Sequence, residues 1–571
     1  MCGIFCSLAR HGFVSPDSAT EKLLRNRGPD SIGTHHALLD LPQIGKEQPP
    51  QLFANFLSTV LSLRGTSVAE QPLRDAESAS VLCWNGEAWS VDGELITGND
   101  SQRVFEKLSA VSRTATCAEI SVKAVSTLLS TIRGPYAFVH YDARHKVLYY
   151  GRDCLGRRSL LTKTTSDSTL ILSSVCDNAS GEAWAEVEAD GVYLVDMSSA
   201  SDIGTLPLPR LIPHQFSGQE QESRLSFTLP FPAMNREVLE ISNSDIINEV
   251  YRVRTSLQES LQLRTQHVRE AIQPSLGSQG DETRVAILFS GGLDCTILAR
   301  MYHDLIPIAD VIDLLNVAFE NPRIHSKLDA GVSPYELCPD RITGRSSHAE
   351  LTSVCPGRRW NFVEINVPYS ETVSHRATVM TLMHPHNTEM DLSISYALYF
   401  ASRGVGLTKL PDQDSPTPYT TPAHVLLSGL GADELFGGYQ RHATAFARHG
   451  YTGLMDELEL DFNRLGKRNL GRDDRVISDS SKEVRFPYLD ENFIALALQL
   501  PVTVKCDFGS PQAESSGEPA QLLEPGKRIL RLLAWHLGMK NVAEEKKRAI
   551  QFGARTAKME TGKTKGTHLL T

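Results

Sequence analysis

Residues 284–295, RVAILFSGGLDC, decide the fold of the second half of this chain. RVAILF is an apolar run typical of a buried strand, and a helical pattern with Ile297, Leu298, Met301 and Leu305 follows the two glycines. A strand that passes through a glycine loop into a helix N-terminus binds anions through backbone N–H groups. The loop lacks the spacing GxxxxGK[ST], so the sequence excludes a phosphate loop of the Walker type.

The residue types in this loop suit a phosphate. Gly291 and Gly292 let the backbone approach an anion closely, and Ser290 offers a hydroxyl. Asp294 offers a carboxylate to a Mg²⁺ ion, which would neutralise phosphate oxygens. A glycine turn between a strand and a helix also occurs without any ligand, so the loop by itself leaves a plain structural turn open.

The chain divides into two halves with different patterns. After the loop, the apolar runs DLLNVAF, NFVEINV and HVLLS are separated by helical patterns, which predicts βαβ units and a parallel sheet. Before residue 200, short apolar runs bounded by Gly, Asn and Asp predict antiparallel strands, with helices at about 101–110 and 119–132. We therefore expect an α+β first domain of antiparallel sheet layers with helices and an α/β second domain.

A proline-rich segment separates these halves. Five prolines fall between 207 and 232, which favours a stiff connection with little regular structure. A helix is predicted at about 244–266, with Ser244 as its cap. The predicted organisation is a first domain at 2–206, a linker at 207–242, a second domain at 243–560 and a flexible tail at 561–571.

Composition narrows the function classes. The chain has 571 residues, 41% of them hydrophobic, which is typical of a globular protein large enough for two domains. A net charge of −11 disfavours nucleic acid as a partner. Neither a leader nor an apolar run of about 18 residues is present, so we expect a cytoplasmic protein without membrane contact. Ten cysteines are too sparse for a disulfide scaffold.

The start of the chain suggests a nucleophile. Cys2 follows the initiator Met, and removal of that Met would place a thiol and a free α-amine on one residue. An α-amine has an ordinary pKa of ~7.7–8.0, so it can act as base for its own nucleophile. A Met-Cys start alone is also compatible with an incidental cysteine in a strand.

Seven motifs in the first domain resemble the class II glutamine amidotransferases and occur in the same order. They are MCGIF at 1–5, RNRGPD at 25–30, LRG at 63–65, NGE at 85–87, TGND at 97–100, GPYAFVHYD at 134–142 and GRDCLGRRSL at 151–160.

The resemblance implies an N-terminal nucleophile glutaminase. Cys2 would attack the side-chain amide of glutamine, release ammonia and leave a thioester that water hydrolyses. The resemblance places the oxyanion donors at Asn85 and Gly86. It places glutamine binding at three charged residues, which are Arg64, Glu87 and Asp100. The alternatives are a hairpin turn at Asn85 and Gly86, and solvated surface charges at Arg64 and Asp100.

The second domain resembles the ATP pyrophosphatases and, together with the first, the glutamine-dependent asparagine synthetases. SGGLDC is similar to their PP-loop, SGGxDS, and LLSGLGADELFGGYQRH at 426–442 and EVRFPYLDENF at 483–493 are similar to further synthetase motifs. One subgroup of that family matches more closely still, at DRITGR (340–345), RRWNFVEINV (358–367), RNLGRDDRVI (468–477) and RAIQFGARTAKME (548–560).

This resemblance implies ATP and Mg²⁺ as cofactors, with Asp294 and Asp433 as the metal positions. The residues that it implies for ATP are Leu288, Ser290, Gly291, Gly292, Asp294, Cys295, Val317, Ser428, Gly429 and Lys527. For Lys527, a solvated lysine at a helix start is the alternative. Two residues depart from the family pattern: Cys295 stands in place of a serine, and Leu430 stands in place of a glutamate. Loss of a positioned acid or base commonly costs ~10²–10⁴ in rate.

The function expected from the sequence is therefore a glutamine-hydrolysing ligase. Ammonia released at Cys2 would amidate aspartate to asparagine through β-aspartyl-AMP, with glutamine, aspartate and ATP as substrates. Two alternatives stay open, which are a glutaminase whose second domain binds nucleotide without synthetase activity, and a catalytically silent interaction protein. The acceptor carboxylate and the assembly, for which a homodimer is one option, are not readable from the sequence.

Overall fold

A computed structural model describes residues 1–41, 51–177, 183–199, 207–216, 225, 227–239, 242–269, 283–329, 331–409, 413, 415–509, 523–559 and 566–570. Within these ranges no helix is long and apolar enough to cross a membrane.

The first domain contains two large sheets. Its strands are β1 (Gly3–Ala9), β2 (Ser31–Asp40), β3 (Gln51–Val60), β4 (Leu73–Arg74), β5 (Val81–Gly86), β6 (Ser90–Val91), β7 (Glu94–Leu95), β8 (Tyr136–Asp142), β9 (Val147–Arg152), β10 (Leu161–Thr164), β11 (Leu170–Ser173), β12 (Ala185–Glu186), β13 (Gly191–Asp196), β14 (Arg210–Gln215) and β15 (Phe227–Thr228). One sheet has the order β12-β10-β11-β1-β3-β2 and the other β15-β14-β13-β9-β8-β5-β4. Apart from β14 and β15, the paired strands of both sheets are antiparallel.

The two sheets pack face to face, with apolar side chains of β1, β3, β5 and β8 between them. Three helices accompany them: α1 (Ser18–Arg27), α2 (Asp100–Thr114) and α3 (Ala118–Thr131). The helices predicted at 101–110 and 119–132 are thus confirmed as α2 and α3. Leu108 and Val125 face the second sheet because apolar residues recur at helical spacing along both helices.

The second domain is built on a mostly parallel sheet. Its strands are β16 (Val285–Leu288), β17 (Val311–Phe319), β18 (Arg359–Val367), β19 (Val405–Thr408), β20 (Thr417–Thr420), β21 (Val425–Leu427) and β22 (Glu483–Arg485), in the order β20-β19-β18-β17-β16-β21-β22. The five strands from β18 to β22 in this order are parallel. The chain runs from β16 outward through β17 and β18, then returns to β21, so the strand order reverses between β16 and β21. Ligands bind at such a reversal, beside the carboxyl ends of the strands.

Helices cover this sheet. They are α4 (Asn243–Thr265), α5 (Leu293–His303), α6 (Pro322–His325), α7 (Pro339–Val354), α8 (Tyr369–Ser374), α9 (Arg376–Met383), α10 (Glu389–Arg403), α11 (Ala432–Phe436), α12 (Gln440–Asn463), α13 (Leu465–Arg468), α14 (Leu470–Ser478), α15 (Glu491–Gln499), α16 (Val502–Lys505), α17 (Arg528–His536), α18 (Lys540–Glu544) and α19 (Ile550–Gly553). The predicted fold class, α+β followed by α/β, is confirmed.

Three local predictions need correction. The linker predicted at 207–242 contains β14, which pairs with β13, so part of it extends the sheet of the first domain. Pro213 is tolerated there because only the two-residue strand β15 lies on the other side of β14. The helix predicted at 244–266 is present as α4, but its cap is Ser242, whose hydroxyl accepts the N–H of Asp245.

The predicted flexible tail is also partly wrong. Leu569 bridges to Thr388, and the N–H of Leu570 donates to Asn387 O at 2.7 Å. Residues 566–570 therefore dock against the start of α10. The remainder of the tail, 561–565 and 571, lies outside the described residues.

Buried ion pairs join the two domains. Arg27 of α1 contacts Asp474 of α14 at 2.8 Å, and Arg157 contacts Glu491 of α15 at 2.5 Å. The four side chains are at most 3% exposed. Because a buried charge without its partner is costly, these pairs fix how the domains meet.

Candidate active site

Cys2 lies where the two sheets of the first domain meet the second domain. It precedes β1, whose first residue Gly3 is paired with Thr59 of β3, and the backbone N–H of Leu61 faces its thiol. The carbonyl of Cys2 accepts a hydrogen bond from Arg27 Nε at 3.2 Å. A backbone N–H on one side and the Arg27 side chain on the other therefore hold the residue in place.

Burial governs the ionisation of this end of the chain. Burial raises the pKa of the Cys2 thiol to about 11, against the effect of the neighbouring α-amine. It lowers the pKa of the α-amine on Met1 to about 5, although Glu483 opposes this shift. The amine is thus neutral near pH 7, which is the state that a general base requires. In this chain, however, the amine belongs to Met1, whose side chain is 1% exposed and packs in the core.

Asn85 and Gly86 end strand β5 in the opposite sheet. They remain in strand register, opposite Ala137 and Tyr136, so the alternative of a hairpin turn is wrong. Asn85 is fully buried, and neither its amide nitrogen nor its amide oxygen has a hydrogen-bond partner among the described residues. Buried amide groups are normally hydrogen-bonded. A buried amide N–H without a partner is therefore available to donate to an oxyanion when one forms.

The residues implied for glutamine binding lie together and are buried. Arg64 is 5% exposed, and its guanidinium donates to Ala88 O at 2.8 Å and Ile96 O at 2.6 Å. Asp100, also 5% exposed, accepts from the N–H of Ala88 and the indole of Trp84. The alternative of solvated surface charges is therefore wrong for both residues.

Glu87 links this cluster to the second domain. Its Oε2 is 3.6 Å from Arg64 Nη1, and its Oε1 is 3.2 Å from Arg485 Nη2 on β22. Burial raises the pKa of Glu87 to about 8, while Arg485 and Arg64 oppose the rise. Sequence reasoning quoted the motif EVRFPYLDENF but assigned no role to Arg485, because no local pattern reveals a contact between residues so distant in the chain.

The residues implied for ATP line one cavity of the second domain. The cavity measures about 640 Å³ and lies at the carboxyl ends of β16 and β21, where the strand order reverses. Nine of the ten implied residues border it, namely Leu288, Ser290, Gly292, Asp294, Cys295, Val317, Ser428, Gly429 and Lys527.

Gly291 is the tenth and does not border the cavity. Its φ is +80°, and a Cβ on it would lie 2.4 Å from the N of Gly344 in α7. Gly291 thus allows α7 to approach the loop closely, and its role toward ATP stays a prediction. The thiol of Cys295 turns into the loop as well, since its Sγ is 3.3 Å from Gly292 O and 3.6 Å from Ser290 Oγ.

Two carboxylates and two lysines meet at the cavity. Lys527 Nζ lies 2.6 Å from Asp294 Oδ2 and 2.7 Å from Asp433 Oδ1. Lys547 Nζ lies 2.5 Å from Asp433 Oδ2. Burial acts to raise the pKa of Asp433, but the two lysines hold it below its usual range. Lys527 is 3% exposed, so the alternative of a solvated lysine is wrong.

The two carboxylates of this cluster fit a Mg²⁺ ion that also binds the phosphate oxygens of a nucleotide. Asp294 Oδ1 is buried and has no hydrogen-bond partner among the described residues. Within the same residues, no group of three or more His, Cys, Asp or Glu side chains is placed to ligate a metal. Mg²⁺ commonly takes one or two carboxylates and completes its shell with substrate phosphates and water, which suits Asp294 and Asp433.

Leu430 marks where this cavity departs from the family pattern, whereas Glu434 keeps a carboxyl group at the same cavity. Leu430 is half-buried, packs against the apolar core and borders the cavity. Glu434 borders it too, is 2% exposed, and accepts the Tyr439 hydroxyl at 2.6 Å. Burial, followed by the neighbouring Asp433, raises the pKa of Glu434 to about 7. A carboxyl group that titrates near neutral pH is therefore present four residues from Leu430.

Sequence reasoning missed Glu434 and Lys547. Glu434 stands in the quoted motif SGLGADE, whose repeated acids were a usable signal. Lys547 lies in the run EEKKRA at 544–549, which reads as an ordinary solvated segment. Its contact with Asp433 depends on a loop that folds back over the cavity.

Two family models match the chain. Residues 1–199 match a glutamine amidotransferase domain, and residues 445–566 match asparagine synthase. The PP-loop at 290–295 lies outside both ranges, so its position is supported by the fold and the cavity.

The chain is similar over nearly its whole length to asparagine synthetase domain-containing proteins. It is 35% identical to protein 1 of that name from Bos taurus, covering 99% of this chain and 97% of the relative. It is 34% identical to the Homo sapiens protein 1, covering 98% and 96%. An asparagine synthetase domain-containing protein of Saccharomyces cerevisiae is 33% identical, covering 90% and 86%. The resemblance inferred from the sequence motifs is confirmed.

Proposed function

Because this chain belongs to the family of the asparagine synthetase domain-containing proteins, we propose that it couples glutamine hydrolysis at Cys2 to the ATP-dependent amidation of aspartate. Glutamine and water give glutamate and ammonia in the first domain. ATP and aspartate give β-aspartyl-AMP and pyrophosphate in the second domain. Ammonia then attacks the acyl-adenylate, which forms asparagine and releases AMP.

In the first domain, the thiol of Cys2 attacks the side-chain amide of glutamine. The α-amine of the processed chain takes the thiol proton and returns it to the leaving ammonia. The amide N–H of Asn85 and the backbone N–H of Gly86 stabilise the oxyanion at both tetrahedral stages. Arg64 pairs with the α-carboxylate of glutamine, and Asp100 pairs with its α-ammonium.

In the second domain, the cavity residues bind ATP. Ser290, Gly292, Ser428 and Gly429 approach the nucleotide from the two loops at the strand reversal. Asp294 and Asp433 would hold Mg²⁺, which supplies positive charge to the phosphate oxygens when bound. Lys527 stabilises the negative charge that develops on pyrophosphate as it leaves.

The observation that carries the proposal is the buried amide of Asn85, which has no hydrogen-bond partner among the described residues. Its test is the variant Cys2→Ala, assayed with glutamine or with an ammonium salt as nitrogen donor. Glutamine-dependent activity should disappear, while ammonia-dependent asparagine formation persists, because the two reactions occupy separate domains. Equal loss of both activities would contradict the proposal.

A second candidate is a glutaminase whose second domain binds nucleotide without forming an adenylate. Leu430 favours it, because an alkyl side chain there packs against the core and cannot transfer a proton or bind a metal. Glu434, four residues away in α11, keeps a carboxyl group at the same cavity, which favours the full ligase. Pyrophosphate release that depends on aspartate separates the two candidates.

A further inference from the structure

The indole of Trp89 is surrounded by guanidinium groups from both domains. The central carbons of Arg64, Arg264 and Arg485 lie 5.6, 5.6 and 5.2 Å from its ring centroid. Trp89 is 4% exposed, and cation–π contacts are strongest when they are removed from water. Arg64 belongs to the first domain, whereas the other two arginines come from α4 and β22 of the second.

Arg485 is the most constrained of these arginines. Its Nε contacts Glu483 Oε1 at 2.6 Å, and its Nη1 donates to Arg264 O at 2.6 Å. Its Nη2 lies 3.2 Å from Glu87 Oε1 in the first domain. The side chain is fully buried, its Nε and Nη1 are held by hydrogen bonds, and its Nη2 faces the Glu87 carboxylate as an ion pair.

Glu87 carries this constraint to the glutamine site. It directly follows Gly86, and its N–H donates to Pro135 O at 2.9 Å. Its second carboxylate oxygen is 3.6 Å from Arg64. Arg485 therefore reaches Arg64 by two routes, through the carboxylate of Glu87 and through the indole of Trp89, which both guanidinium groups contact.

We propose that Arg485 of the second domain is a positioning residue for glutamine binding in the first domain. It holds Glu87 and Trp89 in place, and these two residues orient Arg64 toward the α-carboxylate of glutamine. The glutamine site is then complete only when the two domains are docked. The inference rests on the proposed glutaminase function.

The test measures glutamine binding to the full chain in a Cys2→Ala background, by isothermal titration calorimetry. Arg485→Met should raise the Kd for L-glutamine about tenfold or more. The matched control is Arg475→Met. Arg475 is also fully buried and pairs across the domains with Glu186 at 2.7 Å, but neither residue contacts the glutamine cluster. The control should leave the Kd within about twofold of the parent.

A double-variant cycle tests whether Arg485 acts on glutamine binding through Glu87. If Arg485 acts through Glu87, then Glu87→Gln combined with Arg485→Met binds glutamine no more weakly than the weaker single variant. Strictly additive effects would overturn that route. In protein that retains Cys2, Arg485→Met should raise KM for glutamine about tenfold while kcat changes much less, which general destabilisation would not produce.

Failure of the inference and failure of the proposed function give different results. An unchanged Kd in Arg485→Met, relative to Arg475→Met, overturns the inference but leaves the proposed function intact. No glutamine binding by the Cys2→Ala parent contradicts the proposed function itself, and the inference with it. If Arg485→Met does not fold, Arg485→Lys retains the charge beside Glu483 and should still weaken glutamine binding, because a lysine lacks the guanidinium fork.

Discussion

The ammonium group of Lys527 lies 2.6 Å from the carboxylate of Asp294. Asp294 is in the first turn of α5, directly after the PP-loop, and Lys527 precedes α17 in a left-handed conformation with φ of +58°. Such a backbone is strained for a residue other than glycine and persists where its surroundings require it. The contact assembles the nucleotide site from two distant segments of the second domain.

Replacing Lys527 should therefore weaken the fold in a way that Mg²⁺ relieves. In Lys527→Met, Asp294 loses its cation and Asp433 keeps only Lys547, so we expect a loss of roughly 3–5 kcal/mol in the free energy of unfolding. A divalent cation can occupy the place between the carboxylates. Thermal unfolding with and without Mg·ATP measures both effects, and pyrophosphate release should fall about 10²–10³-fold.

Lys482→Met is the matched control. Lys482 is also buried, but its Nζ donates to the backbone carbonyls of Thr421 and Ala423, away from the acidic pair. This variant should lose stability without gaining any larger response to Mg·ATP than the parent. A Lys527→Met protein that responds to Mg·ATP no more than Lys482→Met would contradict the metal assignment.

Asn85→Ala should slow glutamine hydrolysis without weakening the fold. The amide has no partner to lose, so the melting temperature should stay within a few degrees or rise. Loss of an oxyanion donor should lower kcat by about 10²–10³. The control Asn55→Ala removes a buried amide that donates to Val14 O at 2.9 Å, so it should cost stability and spare kcat. Unchanged kcat in Asn85→Ala would remove Asn85 from the oxyanion hole.

The active protein should begin at Cys2. Met1 places its own amine beside the thiol and puts the amine of Cys2 into a peptide bond, while burial keeps the thiol pKa at about 11. The thiol is then protonated near pH 7, and the amine of Cys2 itself, bound in the peptide, cannot take its proton. Intact-mass measurement should show Cys2 at the N-terminus of glutamine-hydrolysing protein, and Met1 on all of the active molecules would refute the mechanism.

Leu430→Glu tests whether the missing carboxylate limits adenylation. If it does, pyrophosphate release with aspartate should rise, and glutamine hydrolysis in the other domain should stay near the parent value. If Leu430 matters for packing, the new charge is half-buried and costs stability without any gain. Leu430→Gln, which has similar size and no charge, controls for shape. A destabilised glutamate variant with no gain in pyrophosphate release would favour the glutaminase without synthetase activity.

Local sequence patterns were sufficient for the helices α2, α3 and α4 and for the parallel strands, because hydrophobic periodicity depends on which face a local segment buries. They failed at β14, which lies in the proline-rich segment predicted to have little regular structure, although Pro213 is placed next to a short edge strand. Whether a proline is tolerated depends on the neighbouring strand, which the local sequence does not specify.

Local sequence was likewise insufficient for those site residues whose contacts come from distant segments. Cys2, Asn85 and Asp294 stand in motifs whose residue types match the chemistry, so sequence reasoning could name them. Arg485 and Lys547 act through contacts with segments far away in the chain, and their importance follows from domain docking and from loop placement. For Gly291 the sequence indicated phosphate approach, and the contact with α7 that its missing Cβ permits depends on a distant segment in the same way.

One measurement tests the coupled ligase most directly. Purified full-length protein is incubated with glutamine, aspartate and Mg·ATP, while glutamate, pyrophosphate and asparagine are quantified in the same samples. Coupled chemistry predicts that the three products appear together, that asparagine and pyrophosphate form in equal amounts, and that omission of aspartate abolishes pyrophosphate release. Glutamate without pyrophosphate or asparagine would contradict the ligase and identify the protein as a glutaminase.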